Sequence, residues 1–244
     1  MTSLGAETIF SISGFRAPNT LLATLFVDAV LLLLVFAVRR RIALVPGRFL
    51  QVVESVVDYL RTTVDQVAGA RSAMIFPWVG VFFIYIVFNN LMGLFPGFGS
   101  VGFWRTPDAG GQPVLVPILK AATSDLNTTL ALAIVSVFAT HILAIRTTGI
   151  AVYLKRFFAL NPIFLFVGLL EIVQELTKFI SFSFRLFGNI SGGEIVLSTV
   201  AKMFAFILPV PFLALEILVG VVQAAVFALL TMAFMAILTE SSHH

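Results

Sequence analysis

Cysteine is missing from all 244 residues, which excludes disulfides, thiolate metal sites and iron–sulfur clusters. Histidine is nearly missing: two of the three are the terminal His243 and His244, so no bis-histidine haem can be assembled and no cofactor is expected. Charge is scarce as well. Asp, Glu, Lys and Arg make up 11% of the chain, against about 25% in an ordinary soluble domain. Nor does Met1–Asn19 have the basic start and cleavage site of a signal peptide. Hydrophobic residues, in contrast, reach 59%, with a mean hydropathy of +1.07. The chain reads as an all-α integral membrane protein forming a single membrane domain over 1–244. Its net charge of +3 does not mark a nucleic-acid binder, because the bases gather beside hydrophobic segments, where they set topology.

Five membrane helices are expected, over 21–38, 77–95, 126–145, 163–208 and 212–238, with an amphipathic helix over 48–70 on the cytoplasmic surface. The first span ends in Arg39-Arg40-Arg41, a cytoplasmic anchor that places the N-terminus outside. In 48–70, Val52, Val53, Val56, Val57 and Leu60 oppose Glu54, Asp58, Arg61 and Asp65 at helical spacing. Trp78 and Tyr85 are interface anchors, and Asn89-Asn90 is expected near the outer headgroups. Residues 96–124, rich in Gly and Pro, read as an external loop. Arg146, Lys155 and Arg156 return the chain to the inside, and Asn161-Pro162 opens the next helix.

The stretch 163–208 is then too long for one upright span. As helix it would run roughly 65–70 Å, about twice a ~30 Å hydrocarbon core. Two upright spans with a hidden turn, or one strongly tilted helix, would both fit. A single crossing there makes five in all and leaves the C-terminus cytoplasmic. No internal repeat is visible.

Arg185 stands deep in that stretch. A charge at such a depth costs about 2.5–3.5 kcal/mol on insertion scales and marks a functional site with a partner. Arginine cannot escape by losing its proton. Its helical neighbours at i±3 and i±4 are Ser181, Phe182, Gly188 and Asn189, so the counter-charge must come from elsewhere. Gly188 and Gly192 form a small-xxx-small pair that admits a second helix. Glu171, Lys178 and Arg185 recur every seven residues, within about 40° of one another, and Glu175 joins Lys178 at i+3. Glu194 falls on the opposite face from Arg185, roughly 13 Å along the axis. Glu216, Gly220 and Gln223 share a stripe of the last span. Acids inside apolar helices suit groups that pass protons. His141 reads as a satisfied structural residue, Asp125 and Asn127 as a helix cap, and Lys178 and Lys202 as snorkelling or locally paired.

The string Arg185-Leu186-Phe187-Gly188-Asn189, with Gly193-Glu194 and Gln223-Ala224, closely resembles subunit a of the F-type ATP synthase, bacterial type. The resemblance extends to Asn90-Leu91-Met92-Gly93-Leu94-Phe95-Pro96, Asp125-Leu126-Asn127 and Asn161-Pro162. It implies a stator subunit, with no ATP site of its own, that forms two offset proton half-channels against a rotating c-ring. Its partners would be the c-ring, the peripheral-stalk b subunits and the remaining synthase subunits, in the bacterial inner membrane. By motif match, Arg185 would face the ring with Asn189 beside it, and Gln223 would pack nearby. Glu194 and Glu216 would line the outer half-channel and Glu171 the cytoplasmic one, with 163–208 tilted around the ring. Many bacterial relatives carry histidine at the position of Glu216, and mitochondrial ones at that of Glu194; here both are glutamate. The alternative from another class is a self-contained secondary transporter that binds an anionic substrate at Arg185, which would call for a midplane cavity and a repeat.

Overall fold

The computed structural model of the chain describes residues 8–12, 15–40, 47–95, 98, 101–105, 114–157, 162–203 and 207–240. Seven α-helices dominate them: α1 (Asn19–Arg40), α2 (Arg48–Ala68), α3 (Ser72–Gly93), α4 (Leu126–Thr148), α5 (Ile150–Phe157), α6 (Pro162–Met203) and α7 (Pro209–Thr239). Two short antiparallel hairpins join them, β1 (Thr8–Ile12) with β2 (Phe15–Pro18) and β3 (Gly102–Arg105) with β4 (Val114–Pro117). Neither hairpin was expected. The first precedes the periodic part of the chain, and the second sits inside a Gly- and Pro-rich segment that reads as loop.

Four helical stretches are long and apolar enough to cross a membrane: 19–40, the near-continuous run 48–93, 126–148 and 209–239. The expected spans 21–38, 77–95, 126–145 and 212–238 fall within these, except for the end of the second. There α3 stops at Gly93, two residues short. The run 48–93 joins α2 to α3 through one 3-10 turn at Gly69–Arg71. On α2 only Leu60 and Val64 are buried, while Phe49, Val52, Val56 and Tyr59 stay exposed, so its apolar side is left for a medium outside the chain.

The remaining expected segment, 163–208, is one uninterrupted helix as far as Met203. The 42 residues of α6, about 63 Å long, carry Gly188, Gly192 and Gly193 without a break, so no turn is hidden between Pro162 and Met203. Residues 204–206, at the end of the expected 163–208 segment, lie outside the described residues, as does Asn161. Six charged side chains, Glu171, Glu175, Lys178, Arg185, Glu194 and Lys202, keep α6 out of the helices that qualify by composition.

The core lies between α3, α4, α6 and α7. Phe227 of α7 meets Phe182 of α6 at 4.9 Å and Phe82 of α3 at 5.6 Å between ring centroids. In lipid such contacts replace the hydrophobic effect, since tails are as apolar as the helices; packing and interhelical hydrogen bonds hold the bundle instead. Ser136 and Thr231 hydroxyls lie 2.8 Å apart between α4 and α7, and those of Thr129 and Ser183 lie 3.1 Å apart between α4 and α6. Asp125 caps α4 as expected, accepting from the Asn127 amide at 3.0 Å. Its second oxygen accepts from Thr20 at 2.9 Å and so ties α1 to the bundle.

Candidate functional site

On α6 the inward face is Phe182, Ser183, Leu186, Ile190 and Ser191, all buried. That spacing turns Arg185 outward, onto a face that also exposes Val167, Leu170, Phe184, Ile195 and Val196. Arg185 is exposed, and its Nη2 donates to Ser181 Oγ at 3.2 Å, one turn earlier. Among the described residues no carboxylate forms an ion pair with it. A guanidinium has five N–H donors, so most of its capacity points away from the chain.

Asn189, one turn after Arg185, shares the exposed face. Its Nδ2 donates to Gln223 Oε1 of α7 at 2.5 Å. Gln223 is buried, and its Nε2 has no partner among the described atoms. Of Arg185, Asn189 and Gln223, the structure joins the last two, while the arginine's hydrogen bond goes to Ser181. The pair joins α6 to α7 at the level of the charge.

Glu194 turns to the other side of α6 and lines a cavity of about 40 Å³ together with Glu216, Asn90, Leu94, Ala121 and Ile190. That is room for one or a few water molecules. A second, larger groove of about 340 Å³ runs between α6 and α7 along Gly188, Asn189, Gly192, Gly193, Phe212 and Glu216. Glu216 borders both, so its carboxyl group stands between the inner cavity and the groove beside Asn189. Gly193 makes this possible. A Cβ there would collide with the Glu216 carboxylate, so only hydrogen lets the acid lie against α6. Gly220, on the same stripe as Glu216 and Gln223, receives the Asn90 amide on its carbonyl at 2.9 Å.

Asn90 has a role that sequence reasoning did not give it. Asn89 and Asn90 are both buried, and Asn90 faces α7 and the acid-lined cavity. The available signal was two adjacent amides in an otherwise apolar span, which need partners inside the bundle. Glu171 is half-buried on α6. It lies 23 positions before Glu194, about 35 Å along the axis, with Arg185 between them. Lys178 pairs with Glu175 at 2.6 Å, as its spacing required.

Comparison with known proteins finds relatives over most of the chain. The sequence model of a family described as ATP synthase A chain matches residues 21–236. An ATP synthase subunit a of Moorella thermoacetica is 30% identical over 97% of this chain and 97% of its own length. The ATP synthase subunit a 3 of Pelobacter propionicus is 33% identical over 90% of this chain and 87% of its own. A third relative, ATP synthase subunit a of Trichlorobacter lovleyi, is 31% identical over 92% and 89% respectively.

Proposed function

This chain belongs to the ATP synthase A chain family, and from that premise we propose how its residues carry protons. It is a proton-translocating stator subunit of the synthase membrane sector and not an enzyme by itself. The finer assignment concerns Arg185. It faces a carboxylate on a rotating ring of c subunits, the counter-charge that the described residues do not supply. The observation that carries this reading is a guanidinium exposed on an apolar, uncovered helix face and held by one serine.

The physics follows from that placement. A ring carboxylate must be neutral against lipid and ionised while it passes the stator. The fixed cation stabilises the ionised form and cannot itself hand a proton across. Asn189, braced by Gln223, holds the face beside it. Glu194 and Glu216 line the outer approach, where the cavity can hold water and Glu216 opens toward the groove on the ring side. Glu171 serves the cytoplasmic approach. The two approaches are offset along α6, so a proton must ride the ring to pass from one to the other. Each charge that crosses releases about 2.3 kcal/mol per 100 mV, and the offset turns this into rotation in one direction. The setting is the bacterial inner membrane, with the N-terminus outside, the C-terminus in the cytoplasm, and the b subunits of the peripheral stalk as further partners. A self-contained transporter is not supported. The family assigns the chain to a larger assembly, and neither cavity described above includes Arg185 in its lining.

Arg185→Ala tests the assignment. ATP-driven proton pumping and ATP synthesis in membrane vesicles should both be lost while the subunit still inserts. Arg185→Lys should fail substantially too, since an ammonium can shed its proton and lacks the planar fork. Near-normal coupled pumping by Arg185→Ala refutes the reading.

A further inference from the structure

Three helices bring four polar side chains together away from the acid-lined cavity. His141 of α4 stands between Tyr153 of α5 and Glu175 of α6. The Tyr153 hydroxyl lies 2.7 Å from His141 Nδ1, and His141 Nε2 lies 3.3 Å from Glu175 Oε2. Lys178 donates to the other carboxylate oxygen, Oε1, at 2.6 Å. Its ammonium sits 4.0 Å from the centroid of the Phe234 ring of α7, a cation–π contact.

These contacts assign the imidazole its tautomer. A bare Nε2 lone pair against a carboxylate oxygen would be repulsive, so Nε2 carries the proton beside Glu175 Oε2, at 3.3 Å and without a closed hydrogen bond. Nδ1 is then an acceptor, and the phenol donates to it. A proton reaching Nδ1 makes the ring an imidazolium, which can give its Nε2 proton to Glu175; a ring flip then restores the starting tautomer for the next proton. Lys178, pinned by Phe234, holds one carboxylate oxygen and leaves the other for the histidine. The side chains of His141, Glu175 and Lys178 are 21%, 15% and 12% exposed, so water touches the group without flooding it. Glu175 lies one helical turn after Glu171 and ten residues before Arg185, about 15 Å along α6.

We propose that His141 is a proton-relay residue of the cytoplasmic approach, taking protons at Nδ1 from the Tyr153 side and passing them from Nε2 to Glu175, or the reverse. The proposal rests on the stator reading above and adds to it a path from α5 to the polar side of α6. Among the described residues, the charged and titratable groups in contact with His141 are Tyr153 from α5 and Glu175 from α6, with Lys178 behind the acid against the Phe234 ring of α7. A mere mechanical tie between three helices predicts the same contacts but different behaviour on substitution.

The experiment measures passive proton flux through the membrane sector of the assembled complex, in vesicles stripped of the ATP-hydrolysing head, as the pH on the cytoplasmic face is varied. His141→Gln keeps a polar side chain without a relay, so flux should fall several-fold and lose the part of its pH dependence that the imidazole confers. His141→Ala should regain flux when free imidazole is added, a recovery that a tie would not show. Native flux with a native pH profile in His141→Gln overturns the proposal, and so does a loss in His141→Ala that imidazole leaves untouched. If neither variant assembles, Tyr153→Phe decides: it removes one hydroxyl, and an unchanged pH profile overturns the proposal. Arg185→Ala in the same vesicles separates the two readings. Coupled pumping that survives it defeats the stator assignment; its loss, beside an indifferent His141, defeats only the relay.

Discussion

Replacing Gly193 by alanine separates the position of the Glu216 carboxylate from the stability of the helix that it touches. Gly193 is interior to α6, where Gly→Ala ordinarily gains about 0.8–1.0 kcal/mol of helix propensity. Against that gain, the new methyl group would occupy the space of the Glu216 carboxyl group. The displaced atoms are the far end of a flexible side chain, and pushing it about 30° off its rotamer costs of order 0.5–1.5 kcal/mol. The two terms nearly cancel, so the subunit should assemble normally. Function should not be spared. Glu216 stands where the inner cavity meets the groove, and a misplacement of about 1 Å at a reacting group can cost up to about 10²-fold. Passive proton flux and ATP-driven acidification should therefore drop by between several-fold and that limit. Gly80→Ala is the control: it is also inside a helix, and a Cβ there meets nothing within 4 Å. Full assembly with native flux in Gly193→Ala would refute the claim that this carboxylate must lie against α6.

The acids themselves give a second test. Glu194→Gln and Glu216→Leu should each slow passive flux less completely than Arg185→Ala, because water or the remaining acid still carries protons. The double variant should be worse than either single one if both serve one cavity; unchanged flux in the double variant would make both acids structural. Topology can be read by labelling introduced cysteines, which is simple in a chain with no native cysteine. Positions near Arg48 and Glu240 should react from the same, cytoplasmic side, and labelling from opposite sides would defeat the five-crossing arrangement.

Much of this was legible in the sequence because membrane rules act on single residues and short windows. Long apolar runs fix where helices lie, Asp125 before α4 announces its cap, and Pro162 opens α6. The cost of burying a charge singles out Arg185 before any contact is known. Angular spacing alone put Glu194 on the side of α6 away from Arg185, and placed Glu216, Gly220 and Gln223 on one stripe of α7. Short-range geometry of this kind needs only the helical repeat.

Tertiary structure decided what a repeat cannot express. It settled that α6 is one helix rather than two spans with a turn, since glycines at 188, 192 and 193 permit a break without requiring one. It showed that Gln223 spends its hydrogen bond on Asn189, that Asn90 turns inward to the acids, and that Gly193 is open because Glu216 fills the space. It brought His141, Tyr153 and Glu175 together from three helices, where spacing along any one of them gave no sign. Local sequence sets which face a side chain occupies. Which partner meets that face depends on how helices far apart in the chain pack, and in lipid that choice is made by close contact and by polar groups seeking one another.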